Sequence, residues 1–445
     1  MSQVAAVRGD VRRAIGREAV REAGAGDPGW LRARREEAWE VYAATPLPST
    51  RSEEWRYTDV AKLLPLDGLE PAGGGAVRGA ALPDPLRRAM AQDRESAGRV
   101  VEVDGRVVSV ELDDSLAAQG VVLSSLRQAA RRGVGDIEAL LATRAVPASD
   151  GKFSALNAAL WSDGVFLYIP RGVRVEQTIR LSRWVSRPGT ATFTRILIVA
   201  EEHSRLSFVD EILSPDFDSA TLACTVAELF SRGGAQVQYV SLQRMGRGGV
   251  HLANQRTLAE RDSTLDTLNV ALGGTVGRVD LNARLLGPGA NSDMLGLYFG
   301  DANQHFDFNT SQDHVAPNAH SDLLYKGALD GRARGVFRGI IRVHEGAQGT
   351  DAYQTNRNLI LSDEAIATSL PNLEIEADDV RCSHGATVGQ LDAEALFYLM
   401  SRGLGREQAE RLVVLGFLGE VLSRLPLGGV VEKVTRAIEA KLGHV

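Results

Sequence analysis

Short apolar or alternating runs recur through the middle of the chain, from about residue 164 to residue 389, with small or acidic segments between them. The separating segments follow one another roughly every 14 residues, so a circuit of two runs takes about 28 residues, a period typical of repeat architectures. Helical periodicity is almost absent from this part of the chain. The pattern predicts a region of short strands joined by tight turns.

Three architectures accommodate this pattern: an antiparallel sandwich, a propeller and a β-helix. The runs outnumber the strands of a usual sandwich, and no four-strand blade signature recurs. In a β-helix each circuit lays its strands on those of the previous circuit, which fits the even spacing. The spacing therefore favours a β-helix and leaves the other two architectures open.

The composition and the spacing of apolar residues change on either side of the strand region. Asp104-Gly105 lies between two valine-rich runs and predicts a tight hairpin turn, and Glu70 to Pro85 is rich in Gly, Pro and Ala, as flexible linkers are. After Gly389 the apolar residues return to helical spacing. The predicted regions are an N-terminal helical region over 1–69, a linker over 70–85, a mixed α/β lead-in over 86–160, a β-helix core over 161–389 and a C-terminal helical domain over 390–445.

The helix predicted over residues 406–425 is apolar on more than one side. Its main stripe, with the spacing of one helix face, comprises Val414, Phe417, Leu418, Val421, Leu422 and Leu425. Leu412, Val413 and Leu415 lie partly off that stripe. Such a helix is either deeply buried or faces a partner, and a helical domain can also cap the open edge of a strand stack. The residues alone do not decide between a cap and a partner surface.

Composition and motifs exclude several classes of function. The net charge of −7 argues against a nucleic-acid binder, and no apolar run approaches the ~18–20 residues that span a bilayer. The N-terminal sequence lacks the apolar stretch of a secretory signal, so we expect a cytoplasmic protein. The chain carries no GxxxxGK[ST] loop, GxSxG elbow or HExxH motif, which argues against a nucleotide hydrolase, a serine hydrolase and a simple metalloprotease.

The chain contains two cysteines, Cys224 and Cys382, without the CxxC spacing of a self-contained zinc or iron–sulfur site. Any bound metal must therefore use few ligands or share them with a partner. In Cys382-Ser383-His384, a thiol and an imidazole that suit iron or zinc point to the same side if the segment is a strand, and a neighbouring imidazole can lower a thiol pKa. From these residues alone, the favoured interpretation is a buried cysteine packed beside a structural histidine. Cys224 lies in an apolar run and is predicted to be a core residue.

Three further histidines, His314, His320 and His344, lie around predicted turns. On a stacked fold they can approach one another and bind a metal. The favoured interpretation is that they are solvent-exposed or hydrogen-bonded turn residues.

Four stretches between Ser311 and Gly403 stand in a specific order along the chain: GVFRG (Gly335–Gly339), TDAYQTNRNLILS (Thr350–Ser362), PNLEIEADDV (Pro371–Val380) and LFYLMSRG (Leu396–Gly403). Upstream, EEWRYTD (Glu53–Asp59) and the segment Phe153–Val173 add to the match. Together they closely resemble the SufB/SufD family of iron–sulfur cluster assembly proteins. The resemblance covers nearly the whole chain and is weakest over the first forty residues and the Gly-rich linker.

One place separates the two branches of this family. Chains of the SufB type carry a His-Glu pair there, whereas this chain reads CSHGAT from Cys382 to Thr387, the form of the SufD branch. Gly385 stands where the glutamate would be. The resemblance therefore points to the SufD branch.

The resemblance implies a mainly β fold, with a right-handed parallel β-helix core between N-terminal and C-terminal α-helical regions. It implies a non-catalytic scaffold subunit that pairs with SufB and docks the ATPase SufC. His384, with Cys382 beside it, is then expected at the cluster-assembly interface, and His384 is expected to bind metal. The expected SufC-docking residues are Leu412, Val413, Leu415, Phe417 and Leu418.

The same resemblance implies no tightly bound cofactor on the isolated chain and a transient Fe–S cluster shared with SufB. It leaves open whether a reduced flavin binds in the complex and whether isolated chains form homodimers. Two alternatives remain: a SufB-like homodimer that scaffolds clusters alone, and a β-helical enzyme acting on polysaccharide. The missing glutamate and the scarcity of cysteines oppose the first, and the lack of a fixed carboxylate pair opposes the second.

Overall fold

The computed structural model describes residues 15–64, 66, 68–72, 82–93, 96–427 and 429–443 of the 445-residue chain. Its helices are α1 (Arg17–Ala23), α2 (Gly29–Ala44), α3 (Val60–Leu63), α4 (Asp84–Ala91), α5 (Asp114–Ala118), α6 (Leu126–Arg132), α7 (Ile137–Leu140), α8 (Lys152–Leu160), α9 (Ala393–Ser401), α10 (Arg406–Arg424) and α11 (Val430–Leu442). Its strands are β1 (Glu70–Pro71), β2 (Gly98–Val103), β3 (Arg106–Leu112), β4 (Val122–Ser125), β5 (Asp163–Ile169), β6 (Ile179–Trp184), β7 (Thr190–Ala200), β8 (Arg205–Leu213), β9 (Thr221–Ser231), β10 (Gln236–Arg244), β11 (Gly249–Ala259), β12 (Thr264–Ala271), β13 (Val276–Leu285), β14 (Asn291–Gly300), β15 (His305–His314), β16 (His320–Leu329), β17 (Arg334–Val343), β18 (Thr350–Ile360), β19 (Ile366–Ile375) and β20 (Val380–Gln390).

Strands β5 to β20 alternate between two sheets, the odd-numbered strands in one and the even-numbered strands in the other. Within each sheet every strand pairs in parallel with the strand two places along the chain. Val250 lies opposite Val276, and Val276 lies opposite His305, so one circuit takes 26 and then 29 residues. The β-helix that the spacing favours is therefore confirmed, and the sandwich and the propeller are excluded.

The first rungs of the β-helix are closed by antiparallel strands. β2 pairs in parallel with β6 and antiparallel with β3, and β4 pairs antiparallel with β5. The turn between β2 and β3 is Asp104-Gly105, with φ values of 49° and 75°, which confirms the predicted hairpin. These added strands cover the edges that the first circuit would otherwise leave unpaired.

Helices cover the outer faces of both sheets. α1, α2 and α8 pack on the odd-numbered sheet, where Leu31 and Leu156 share one apolar cluster with Val226. α10 and α11 pack on the even-numbered sheet, where Val414 and Leu268 share another. Both faces of these parallel sheets are buried, so apolar side chains occur on both faces of each strand. The alternation of apolar and polar residues along the sequence is therefore weak.

One corner of the β-helix is built from left-handed residues stacked circuit on circuit. Each donates its backbone N–H to a carbonyl of the next circuit, as His203 does to Gly233 and Asp262 does to Pro288. The members of this column are Gly172, His203, Gly234, Asp262, Gly289, Asn318 and Gly349, all with positive φ. Their regular recurrence fixes the corner and thereby the register of the strands that follow it.

The predicted C-terminal helices are confirmed as α9 and α10. Within the predicted linker, Glu70–Pro71 form strand β1 on the edge of β7, and residues 73–81 lie outside the described residues, as do residues 1–14 of the predicted N-terminal region. The region boundaries otherwise stay predictions. Among the described residues, none of the helices is long and apolar enough to cross a membrane.

Candidate functional site at the open end of the β-helix

The last rungs of the β-helix, β19 and β20, are exposed, in contrast to the buried strands before them. In the part of the chain that the structure describes, neither strand has a further strand on its outer edge. Apolar side chains lie open along these rungs, with Val388 49% exposed, and the others are Ile366, Leu373 and Ile375. A parallel edge with unpaired backbone groups and exposed apolar side chains is a surface that another chain can cover. We call the exposed face of β19 and β20 the open end.

Cys382 and His384 both lie on β20, at the open end. β20 pairs with β18 without a register shift, which sets Cys382 beside Ala352 and His384 beside Gln354. Cys382 packs against the interior residues Ile341 and Ala352. Because successive strand residues alternate between faces, His384 lies on the same interior-facing side as Cys382, as the sequence predicts for a strand. The thiol and the imidazole therefore lie on one face of β20 at the open end, in the opening of the β-helix, which we call the mouth.

The two cysteines differ in burial and in chemistry. Cys224 is buried on β9, and desolvation raises the pKa of its thiol to about 12, so the prediction that it is a core residue is confirmed. Cys382 is half-buried, and desolvation raises the pKa of its thiol although a hydrogen bond with the backbone of Ala352 lowers it. The pKa of Cys382 is therefore raised and not lowered, because desolvation of the half-buried thiol outweighs the hydrogen bond with Ala352.

The interior directly beneath the open end is polar. Gln354 is fully buried, and neither its Nε2 nor its Oε1 atom has a hydrogen-bond partner among the described residues. One circuit further in, Gln312 donates to Ser321 Oγ over 2.7 Å and to the carbonyl of Tyr353 over 3.1 Å. His314 Nε2 lies 2.7 Å from the same Ser321 Oγ. Buried polar side chains thus continue from the mouth into the β-helix.

The remaining turn histidines do not form a metal site. His344 Nε2 lies 2.8 Å from Asp313 Oδ1, and His314 is buried against Ser321. Burial lowers the pKa of His314 to about 4, so this imidazole is neutral at physiological pH. In the part of the chain that the structure describes, no group of three or more His, Cys, Asp or Glu side chains is arranged to hold a metal ion. The interpretation of hydrogen-bonded turn histidines is confirmed for His314 and His344.

The C-terminal helices α10 and α11 are anchored to the even-numbered sheet by buried cations. Lys326 of β16 donates to the carbonyl of Phe417 over 2.9 Å and pairs with Glu420. Lys433 of α11 donates to Glu211 over 2.7 Å and to Asp93 over 2.6 Å. Both lysines are buried and hydrogen-bonded across the contact, so α10 and α11 are fixed to the even-numbered sheet.

The predicted docking residues on α10 fall on different sides of that helix. Leu418 is fully buried against the sheet, so its prediction as a surface docking residue is wrong: the face that carries Leu418 packs on the β-helix of this chain. Leu415 and Phe417 are half-buried, with Lys326 stacked on the Phe417 ring. Leu412 is exposed and Val413 is half-buried, and both stay predictions.

Helix α9 carries the most exposed aromatic residues of the described structure. Phe397 is 74% exposed and Tyr398 is 57% exposed, and Met400 of the same helix and Leu412 of α10 are exposed as well. We call these four residues the α9 patch. A groove of about 990 Å³ runs beside the patch, between α9, α10 and the turn after β18. Phe397 and Tyr398 are not among the residues predicted for a site, although the run LFYLM, apolar on all sides of a short helix, is a usable signal.

Comparison with known protein families agrees with the fold. Residues 183–417 match the model described as "SUF system FeS cluster assembly, SufBD core domain", and residues 95–181 match "SufBD protein N-terminal region". The core match alone extends over more than half of the chain. The chain belongs to the SufBD family. It is therefore an iron–sulfur cluster assembly protein of that family, and the resemblance of the four stretches is confirmed.

Members of the SufBD family from several bacteria are similar to this chain. The iron–sulfur cluster assembly protein SufD of Bacillus subtilis is 30% identical over 94% of this chain and 95% of that protein. The SufB protein of the same organism is 28% identical over 77% of this chain and 73% of that protein. A SufBD family protein of Mycobacterium leprae is 41% identical over 50% of this chain and 59% of that protein.

Proposed function

We propose that this SufBD family member acts as a SufD-type scaffold subunit, not itself catalytic, in a cytoplasmic complex with SufB and the ATPase SufC. The observation that carries the proposal is the position of Cys382 and His384 on the last rung, at an edge that is apolar and unpaired. The similarity to SufD over nearly the full length of both chains supports the SufD branch. The CSHGAT sequence, with Gly385 in place of an acid, supports it as well.

The open end supports pairing with a SufB chain. An edge of two parallel sheets gains backbone hydrogen bonds and buries apolar area when a second chain lies along it. Covering Val388, Ile366 and Ile375 places the partner directly over Cys382 and His384. A cluster formed there takes ligands from both chains, in line with the small number of donors on this chain.

The chemistry of the site follows from its donors. Iron binds a thiolate and a deprotonated ring nitrogen, so binding at Cys382 releases the thiol proton. Because burial raises the Cys382 pKa, the thiol holds its proton until a metal competes for the sulfur. The nascent cluster is the cargo of this site. Because this chain offers only two donors, and only one of them is a thiol, we expect it to hold the cluster transiently.

The C-terminal helices support the docking of SufC. The α9 patch exposes two aromatic rings and two apolar side chains, a composition typical of an interface centre. α10 and α11 are locked to the even-numbered sheet through Lys326 and Lys433. A nucleotide-dependent movement of SufC on α9 is therefore passed to the whole β-helix and biases the SufB interface between two states.

The test is reconstitution of iron–sulfur clusters with purified SufB, SufC and this chain. Under the proposal, all three proteins co-purify, and cluster formation requires this chain and ATP hydrolysis by SufC. Cluster formation by SufB and SufC alone at the same rate would overturn the proposal. A stable homodimer of this chain that builds clusters without SufB would instead favour the SufB-like alternative.

A further inference from the structure

Gln354 and His384 face the same side of the β-helix on adjacent rungs. Parallel pairing of β18 with β20 sets the two residues side by side, about 4.8 Å apart as neighbouring strands are. Gln354 is fully buried, whereas His384 is exposed at the mouth. The imidazole is thus the side chain directly above the amide of Gln354 in its column.

The amide of Gln354 has unused hydrogen-bonding capacity. Neither its oxygen nor its nitrogen has a partner among the described residues, although a primary amide offers two donors and two acceptor sites. Buried amides without partners are rare and call for an explanation. A group that forms a hydrogen bond with the Gln354 amide must reach it from the interior (the lumen) of the β-helix or from the mouth.

Gly339 makes room for this amide. A Cβ atom at Gly339, on the facing strand β17, would overlap the amide group of Gln354. The end of the Gln354 side chain therefore lies in the lumen against the backbone of Gly339, where only glycine leaves space for it. The next rung toward the mouth in the Gln354 column is His384, whose imidazole also has no hydrogen-bond partner among the described residues.

We propose that Gln354 is a positioning residue for His384. One ring N–H of His384 donates to Gln354 Oε1, which fixes the tautomer and leaves the lone pair of the other ring nitrogen directed out of the mouth, toward the metal. Outer partners of metal-binding histidines commonly act in this way. The two side chains rotate toward each other and form this hydrogen bond when a partner or metal excludes water from the mouth. This inference rests on the proposed role of His384 as a ligand.

The test compares Gln354→Met, which keeps the shape and loses the acceptor, with Gln354→Glu, which keeps the acceptor. In the full chain with nitrogen-15-labelled histidine, the tautomer of His384 is read from its ring nitrogen shifts, assigned by the loss of the signal in His384→Ala. With diamagnetic Zn²⁺ and the SufB partner added, we expect one tautomer in the wild type and in Gln354→Glu, and a mixture in Gln354→Met. We also expect Co²⁺ affinity to fall about 10- to 100-fold in Gln354→Met.

Gln312→Met is the matched control, because it removes another buried amide from a site that does not stack on His384. It should leave the His384 tautomer unchanged. An identical tautomer in the wild type and in Gln354→Met, with both variants folded, would overturn the inference. That outcome leaves the proposed function intact if His384→Ala still lowers cluster formation, so the two failures are distinguishable.

Discussion

The carboxylate of Asp262 occupies the space that a side chain on Gly289 would need. Both residues belong to the left-handed column at one corner of the β-helix, and a Cβ atom at Gly289 would lie closer to Asp262 Oδ1 than non-bonded atoms approach. His203 stands in the same relation to Gly234, and Asn318 to Gly349. Bulky and glycine positions therefore alternate along the corner.

Gly289→Ala should destabilise the protein more than Gly172→Ala. Both glycines have φ near 70°, so each alanine incurs the left-handed strain of about 1–2 kcal/mol, but a Cβ at Gly172 meets open space. The overlap with Asp262 adds about 1–3 kcal/mol for Gly289→Ala. Urea unfolding of the two variants measures the difference. Equal free energies of unfolding would mean that the Asp262 side chain moves aside freely.

Glu102 makes the stability of the protein depend on pH. Desolvation raises the pKa of this fully buried carboxyl to about 7, against an opposing attraction from Arg183 and a hydrogen bond from Thr194. As the pH rises from about 4.5 to 7, the unfolded state ionises first, so the folded state loses up to about 3 kcal/mol of stability. Glu102→Gln should lack this loss and be more stable than the wild type at pH 8.

Chemical denaturation at pH 5 and pH 8 checks this prediction. Glu111→Gln on the adjacent strand β3 is the control, because Glu111 is exposed and its substitution should leave the pH dependence as in the wild type. A Glu102→Gln variant with the same pH dependence as the wild type would contradict the assignment of the loss to Glu102.

One of the two cysteines should react with a thiol reagent in the native chain. Cys382 is half-buried at the open end, whereas Cys224 is buried under α8 with a pKa of about 12. Mass spectrometry after iodoacetamide treatment should find the label on Cys382 alone, and on both residues after denaturation. Addition of SufB should protect Cys382. Unchanged labelling in a verified complex would place the SufB interface elsewhere.

His384→Ala should lower iron–sulfur cluster formation by at least about tenfold without affecting the fold, because it removes the proposed metal ligand from an exposed position. Circular dichroism and co-purification with SufB should match the wild type. Ser383→Ala on the opposite face of the same strand is the control and should form clusters normally. Normal cluster formation by His384→Ala would remove this histidine from the site.

Phe397→Asp and Leu418→Asp should fail in different ways. Phe397 is the most exposed residue of the α9 patch, so Phe397→Asp should leave the fold intact and weaken SufC binding by about 2 kcal/mol, some 30-fold in affinity. Leu418 is buried on the even-numbered sheet, so a charge there should cost more than about 4 kcal/mol of folding stability. Calorimetric titration with SufC and thermal melts separate the two effects. Tight SufC binding by Phe397→Asp would exclude the α9 patch as the docking surface.

The recurrence of turn residues along the sequence predicts the β-helix, because each corner is formed by residues that are close in sequence. Residues such as Asp262 and Gly289 adopt left-handed φ values for reasons that lie within the turn, and their spacing sets the circuit. The order Cys382-Ser383-His384 likewise predicts a shared face once the segment is a strand, because alternation along a strand is local. The resemblance of four stretches to one family needed no structure at all.

Other properties depend on contacts between residues distant in the sequence, and only the tertiary structure decides them. β20 reads like earlier strands, but it is the last rung, and that alone exposes Val388 and places His384 at a mouth. The apolar stripe of α10 does not say that Leu418 faces this chain while Phe397 on α9 faces solvent. The raised pKa of Cys382 and the free amide of Gln354 beneath His384 arise from stacking circuits about 30 residues apart, which no local pattern records.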